Sequence, residues 1–145
     1  MSPERPLLLF PLVFKRLRKS RGLLQKTTAL DLGLDATVLC AIEKGTRAPL
    51  GDDLLKRAAQ LFCLSGEEVR QLQWAAHHDR LVGHLEDKGA TETEVEFIST
   101  GLHALRHLQP QQINGLMSSL QEIEKSASLV ASLGKSNPLA EATMN

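Results

Sequence analysis

Basic side chains are concentrated near the start of the chain. Five of the seven residues from position 15 to position 21 are positively charged, namely Lys15, Arg16, Arg18, Lys19 and Arg21. Cations at this density either bind phosphate groups, as nucleic-acid-binding surfaces do, or form the solvated face of a basic helix. Both interpretations stay open at this point.

The histidines raise the question of a metal site. His77, His78 and His84 are close in sequence, and His103 and His107 lie about one helical turn apart. Neither group has a cysteine or a carboxylate at the spacing that metal ligands usually show. We therefore interpret these histidines as surface or core residues, and we predict neither a metal ion nor another cofactor.

The two cysteines, Cys40 and Cys63, form no ligand pattern and no disulfide framework. Reduced thiols in a cytosol are the simplest interpretation. Cys40 is expected to be a small packing residue, with a redox-sensitive position as the alternative. The sequence also lacks a recognisable nucleophile–base pair, phosphate-binding loop or acid pair, so we do not predict an enzyme.

The composition favours an all-α protein with two different halves. Hydrophobic residues make up 42% of the chain and aromatic residues only 3%, with no tyrosine. Leu and Ala dominate rather than the β-branched and aromatic residues typical of strands. Residues 1–80 contain 13 Lys and Arg against 9 Asp and Glu, whereas residues 81–145 contain 4 against 8. This asymmetry indicates a basic functional surface and a separate acidic module.

The apolar run near the N-terminus does not predict a membrane segment. Leu7–Phe10 is interrupted by Pro11 and is too short to cross a bilayer. Basic residues follow it where a secretory signal would have a cleavage site. We therefore expect a cytoplasmic protein.

Capping residues and helix breakers predict five short helices in the first half of the chain. Pro11 suits a first turn, Asp35 suits an N-cap, and Gly22, Gly33 and Gly45 suit helix ends. The predicted ranges are 11–21, 25–32, 36–44, 54–62 and 65–85, the last opened by a capping box of Ser65 and Glu68.

Gly89 predicts a boundary, after which the chain changes character. Thr91 and Glu94 form a second capping box, and two amphipathic helices are expected around a break at Pro110. We therefore divide the chain into a domain at 7–88, a helical segment at 91–133 and a disordered tail at 134–145. The segment has a long apolar stripe at helical spacing that includes Ile113, Leu116, Met117, Leu120 and Ile123.

Three stretches of the first half carry a family resemblance. They read FKRLRKSRGL, QKTTALDLGLDATVLCAIEKGTRAP and LLKRAAQLFCLSGEEVRQL. Together they resemble the Cro/phage-repressor-like, or Xre-type, helix-turn-helix transcriptional regulators over most of residues 14–72. Ala29 allows a close helix crossing, and Gly33 forms the turn between the second and third helices. The resemblance implies a five-helix domain whose third helix, at 36–44, lies in the major groove of DNA.

The resemblance also implies roles for individual residues. Those expected to contact DNA are Gln25, Ala36, Thr37, Cys40, Ala41, Lys44, Thr46 and Arg47. Among them, Gln25 would hold a phosphate at the start of the second helix, and Lys44, Thr46 and Arg47 would grip phosphate beyond the third. Arg18 and Glu43 match positions that pair in the family and would tie the first helix to the third.

The sequence departs from the family pattern at the positions that face the bases. Ala36, Thr37, Cys40 and Ala41 can contact a thymine methyl group, but none is a bidentate base reader. Leu24 stands where Ser or Thr is common, and Thr28 where an apolar residue is common. Either phosphate contacts and DNA shape provide specificity, or the domain binds protein instead of DNA.

The functional hypothesis is a bacterial or phage transcription regulator, a repressor or autoregulator, that binds double-stranded operator DNA as a homodimer. Residues 91–133 would form a dimerisation or regulatory segment. Dimerisation is favoured because the shorter helix before Pro110 cannot cover the stripe at 113–123 and one domain contacts few bases, and an intramolecular core or a ligand pocket is the alternative. The alternative hypothesis is a protein–protein adaptor or anti-regulator that uses the same scaffold without DNA.

Overall fold

The structure, a computed structural model, describes residues 8–135 of the 145-residue chain. These residues form seven α-helices and no strand, so the described part of the chain is all-α. The helices are α1 (Phe10–Ser20), α2 (Gln25–Asp31), α3 (Ala36–Lys44), α4 (Asp52–Leu61), α5 (Gly66–Asp87), α6 (Glu92–Leu105) and α7 (Pro110–Lys135). Residues 136–145 of the predicted tail lie outside the described range.

Local capping chemistry explains most helix ends. The Asp35 side chain accepts a hydrogen bond from the Thr37 backbone N–H at the start of α3, and Gly45 ends that helix with φ of +80°. A residue with a Cβ is disfavoured in this left-handed conformation. Reciprocal capping boxes open α5, through Ser65 and Glu68, and α6, through Thr91 and Glu94. Both boxes were predicted from the sequence.

Helix α1 lies at the centre of the core. It packs against α3 and α5, while α2 packs against α3 and α4 against α5. The rings of Phe10 and Phe14 have centroids 5.5 Å apart, and those of Phe14 and Phe62 have centroids 5.3 Å apart. All three rings are completely buried. Their burial joins α1 to the end of α4. Because α1 also packs against α3, these contacts stabilise the position of α3.

The boundary between the two halves differs from the predicted one. The chain divides into one compact unit that ends at Leu102 and another that begins at His103. Gly89 does form a turn, with φ of +86°, but the following helix continues the first unit. Val95 and Ser99 of α6 are buried there. Most of α6 therefore belongs with the first five helices instead of with the predicted segment at 91–133.

Helix α7 is 26 residues long and begins at Pro110, a residue suited to a first helical turn. The Gln109 backbone N–H donates to Gln112 Oε1 at 2.8 Å, which satisfies one of the N–H groups at this end. None of the helices within residues 8–135 combines the length and apolar character that crossing a bilayer requires.

Candidate nucleic-acid interface

Helices α2 and α3 form a helix-turn-helix unit around a short turn. Gly33 adopts φ of +71°, and the Leu34 backbone N–H donates to the Ala29 carbonyl at 2.8 Å. Ala29 is almost completely buried, as a small residue at a close helix crossing has to be. The turn therefore fixes where α3 begins relative to α2.

Helix α3 has a buried side and an accessible side. Leu39, Ile42 and Glu43 are buried. The accessible side consists of five residues at helical spacing that are half-buried or exposed, namely Ala36, Thr37, Cys40, Ala41 and Lys44. These five were all predicted to contact DNA, and the structure places them on one surface, which we call the α3 outer surface.

A shielded ion pair holds α3 to α1. Arg18 Nε donates to Glu43 Oε2 at 2.7 Å, and Arg18 Nη2 donates to Glu43 Oε1 at 2.8 Å. The two residues are only 6% and 8% exposed. The hydrogen bonds that Arg18 donates to Glu43 raise the pKa of Arg18 above its ordinary value, although burial opposes this effect. This is the pair that the family resemblance implied.

Two more residues complete this network. Arg18 Nη1 donates to the Leu23 carbonyl at 2.7 Å, and Gln25 Nε2 donates to Glu43 Oε1 at 3.2 Å. The amide of Gln25, expected to hold a phosphate, thus also braces the ion pair. Substituting Gln25 would disturb α3 as well as any phosphate contact.

Thr46 differs from Lys44 and Arg47, the other two residues predicted to bind phosphate beyond α3, because its polar groups are already hydrogen-bonded within the protein. Its hydroxyl and its backbone N–H both donate to the Ala41 carbonyl, at 3.2 and 3.0 Å. The hydroxyl proton is therefore committed to the end of α3. Lys44 and Arg47 are exposed, and their side chains make no hydrogen bond or ion pair with any residue in the described range.

Asp35 and Thr37 form a small hydrogen-bonded pair at the start of the α3 outer surface. Asp35 Oδ1 accepts from the Thr37 backbone N–H at 2.9 Å and from Thr37 Oγ1 at 2.8 Å. These bonds, the backbone one first, lower the pKa of the Asp35 carboxyl below its ordinary value. Both residues are exposed.

The basic cluster of α1 is divided between structure and surface. Arg18 is buried in its ion pair, and Arg21 donates to the Phe62 carbonyl at 2.8 Å and to Glu68 at 2.7 Å. Lys15, Arg16 and Lys19 are exposed. Two of the five cations therefore hold helices together, so the cluster is not a uniform phosphate-binding surface.

Sequence reasoning missed a second buried polar network. Ser99 Oγ lies 2.8 Å from His78 Nε2, and His78 Nδ1 lies 2.9 Å from Asp79 Oδ1. Asp79 also accepts from the backbone N–H groups of Leu9, at 2.9 Å, and Phe10, at 2.7 Å. The adjacent His and Asp were visible in the sequence, but nothing there indicated Ser99 as their partner.

This Ser–His–Asp order is that of hydrolytic triads, yet its surroundings differ from those of an active site. Ser99, His78 and Asp79 are all almost completely buried, so a substrate carbonyl could not reach the Ser99 oxygen. Asp79 instead supplies the N-terminal cap of α1 that Leu9 cannot provide. The network joins α1, α5 and α6.

Metal binding and thiol chemistry were the other possibilities that the histidines and cysteines raised. Within residues 8–135, no group of three or more His, Cys, Asp or Glu side chains is arranged to hold a metal ion. Cys40 and Cys63 are free thiols, the first half-buried and the second exposed.

The predicted dimerisation residues lie on α7. Leu116, Met117, Leu120 and Ile123 are between 38% and 64% exposed, and Ile113 is half-buried.

No protein-family model, no curated protein and no solved structure matches this chain, so its resemblance to the Xre-type regulators rests on the sequence motifs.

Proposed function

We propose that this chain is a cytoplasmic, dimeric DNA-binding transcription regulator, a repressor or autoregulator, in which α1–α5 act as a Cro/repressor-like domain. The observation that carries the proposal is the division of α3 into a clamped side and an accessible side. Leu39, Ile42 and the Arg18–Glu43 pair hold one side, and the other presents short side chains. A helix with short outward side chains can enter the major groove deeply enough to touch base edges.

Charge beside α3 supports the same function. Lys44 and Arg47 stand in the last turn of α3 and just beyond it, exposed and without a partner among residues 8–135. Cations in this position can neutralise phosphates while the helix lies in the groove. Thr46 supports them indirectly, by capping α3 rather than by donating to phosphate.

Dimerisation through α7 fits the spacing of its apolar residues. Ile113, Leu116, Leu120 and Ile123 follow one another at alternating intervals of three and four, and Ala127 and Val130 continue the pattern. This is the heptad repeat of a coiled coil. At 26 residues, α7 is about 39 Å long, enough for several heptads. A second copy is the occupant we assign, since it would present the identical stripe.

A protein–protein adaptor is the second candidate. It is favoured by two large apolar side chains at the two ends of α2, because Leu24 is 71% exposed and Leu30 is 76% exposed. The α3 outer surface also lacks a guanidinium or amide group for bidentate base contacts. Exposed leucines of this kind are suited to a protein partner rather than to phosphate.

Salt dependence of DNA binding separates the two candidates. The protein would be titrated into a fluorescently labelled duplex of random sequence, about 30 base pairs or three helical turns long, and binding would be measured by fluorescence anisotropy at increasing salt concentrations. A DNA-binding protein releases counterions, so its affinity falls steeply between about 50 and 200 mM salt. Lys44→Ala and Arg47→Ala should each lower the logarithmic slope by about 1.

Lys125→Ala is the matched control, since it also removes one exposed cation but lies on α7, at the outermost position of the proposed heptad. It should leave the salt slope unchanged. Binding without salt dependence, or an equal effect of all three substitutions, would overturn the DNA-binding proposal in favour of the adaptor.

A further inference from the structure

The hydrogen bonding of Thr37 limits what its hydroxyl group can do. The Asp35 carboxyl has a lowered pKa and is ionised at neutral pH, so it can only accept hydrogen bonds. The 2.8 Å contact between Thr37 Oγ1 and Asp35 Oδ1 therefore uses the hydroxyl proton of Thr37. Thr37 Oγ1 retains acceptor capacity but has no proton left to donate.

The other side chains at the centre of the α3 outer surface are small and nearly apolar. Ala36, Cys40 and Ala41 are all half-buried, so each exposes only part of a small side chain. An alanine methyl or a thiol offers no strong hydrogen bond, but each can pack against another methyl group. The surface thus combines hydrogen-bond acceptors at its beginning with apolar contact along its middle.

Base pairs in the major groove differ in how well they match this combination. Both pairs present one amino donor and two acceptors, but an A·T pair adds the C5 methyl of thymine, which a G·C pair lacks. The purines also differ at position 6, where adenine has its amino donor and guanine has the acceptor O6. Guanine O6 would face the Asp35 carboxylate and a Thr37 oxygen that cannot donate.

We propose that the α3 outer surface selects A·T base pairs by direct contact in the major groove. Thr37 Oγ1 accepts from the adenine amino group, Ala36, Cys40 and Ala41 pack around the thymine methyl, and Asp35 disfavours guanine. The proposal rests on the proposed DNA-binding function and specifies its target. It assigns to Asp35 a role in selectivity besides its role as N-cap.

The test begins with selection of tight-binding duplexes from a random pool by the full-length protein, followed by base analogues at each selected A·T pair. Replacing thymine by uracil removes the methyl and should weaken binding about fourfold. Replacing adenine by purine, which lacks the amino group, should weaken it about two- to tenfold. Replacing adenine by 7-deazaadenine removes only N7 and should have no effect.

Two protein variants assign the contacts to residues. Thr37→Val keeps a methyl but removes the acceptor oxygen, so it should lose sensitivity to the purine analogue and keep sensitivity to uracil. Asp35→Asn retains an N-capping side chain but can also donate, so it should tolerate guanine better. Thr27→Val, on an exposed residue of α2, should preserve the selectivity of the unmodified protein.

The outcomes distinguish this inference from the function on which it rests. Enrichment of G·C pairs, loss of binding with 7-deazaadenine, or indifference to uracil would overturn the A·T proposal while leaving DNA binding intact. Failure to enrich any duplex, together with salt-independent retention, would overturn the DNA-binding function itself.

Discussion

The first unit and helix α7 use their side chains in opposite ways. In residues 8–102, large apolar side chains fill a core, and charged groups such as Arg18, Glu43 and Asp79 are buried with partners. On α7, apolar side chains are exposed along the helix, and only Ile113 is half-buried among those at 110–134. The first unit specifies a tertiary structure within one chain, whereas α7 specifies a helix with a periodic surface whose stabilisation we assign to a second copy.

The largest expected effect comes from a substitution on α7 that should disrupt the proposed dimer but leave the first unit folded. Leu120→Asp places a charge in the centre of the stripe, so the dimer should dissociate in sedimentation experiments and DNA affinity should fall about 100-fold or more. Unfolding followed by the fluorescence of Trp74, the only tryptophan, should be unchanged. Ser118→Asp, at an outer heptad position, is the control that should remain dimeric. A wild-type protein that sediments as a monomer would contradict the assignment.

The second prediction tests the buried charge of the first unit. Glu43→Ala leaves the Arg18 guanidinium shielded and unpaired, which should reduce the free energy of unfolding by about 3 kcal/mol. Denaturant unfolding measures this loss. Glu67→Ala, which breaks an exposed pair with Arg70, should have little effect. Similar losses for both variants would mean that shielding does not distinguish the two pairs.

Thr28 is the exception within the first unit, because its Oγ1 atom is buried and makes no hydrogen bond. Thr28→Val replaces this hydroxyl by a methyl and should raise the free energy of unfolding by about 1 kcal/mol. Thr27→Val, at an exposed neighbouring position, provides the comparison in thermal unfolding. A destabilised Thr28→Val protein would show that the hydroxyl is satisfied in solution.

The smallest effect concerns the partly exposed ion pair of Arg21 and Glu68 and appears only in acid. Hydrogen bonds from Arg21 and then from the Ser65 backbone N–H lower the pKa of Glu68 from 4.5 to about 2. A carboxyl whose pKa is lower in the folded state stabilises the fold above pH 4.5, and this contribution is lost as the pH falls towards 2. Glu68→Gln should therefore flatten the decline of the urea midpoint across that interval. An unchanged acid profile would contradict the lowered pKa.

Local chemistry could be predicted from the sequence, whereas contacts between distant positions could not. Asp35 and Gly45 predicted α3 as 36–44, the range observed, because N-caps and left-handed glycines act within one turn. The apolar stripe of α7 could also be predicted, because its residues repeat at helical spacing. The Ser99–His78 contact was not visible, because two polar residues 21 positions apart have no sequence signature. Gly89 therefore predicted a domain boundary before α6, whereas most of α6 belongs to the first unit.

The same limit applies to individual side chains of the candidate site. The family resemblance implied that Thr46 binds phosphate, but its hydroxyl donates to the Ala41 carbonyl at the end of α3. In the sequence Arg21 belongs to a basic cluster, but in the structure its N–H groups donate to the Phe62 carbonyl and to Glu68. Composition reveals the charge of a residue but not its partner.

The cap that Asp79 places on α1 has a consequence for the order of events during synthesis. Its acceptors join backbone N–H groups that lie 70 and 69 positions earlier in the chain. A ribosome adds about 5–20 residues per second, so α3 exists for on the order of a few seconds before Asp79 and then Ser99 are made. During that interval the helix proposed to enter DNA rests on an α1 without its cap. A chain that ends ahead of residue 79 would thus contain all of α3 but lack the cap of the helix that α3 packs against.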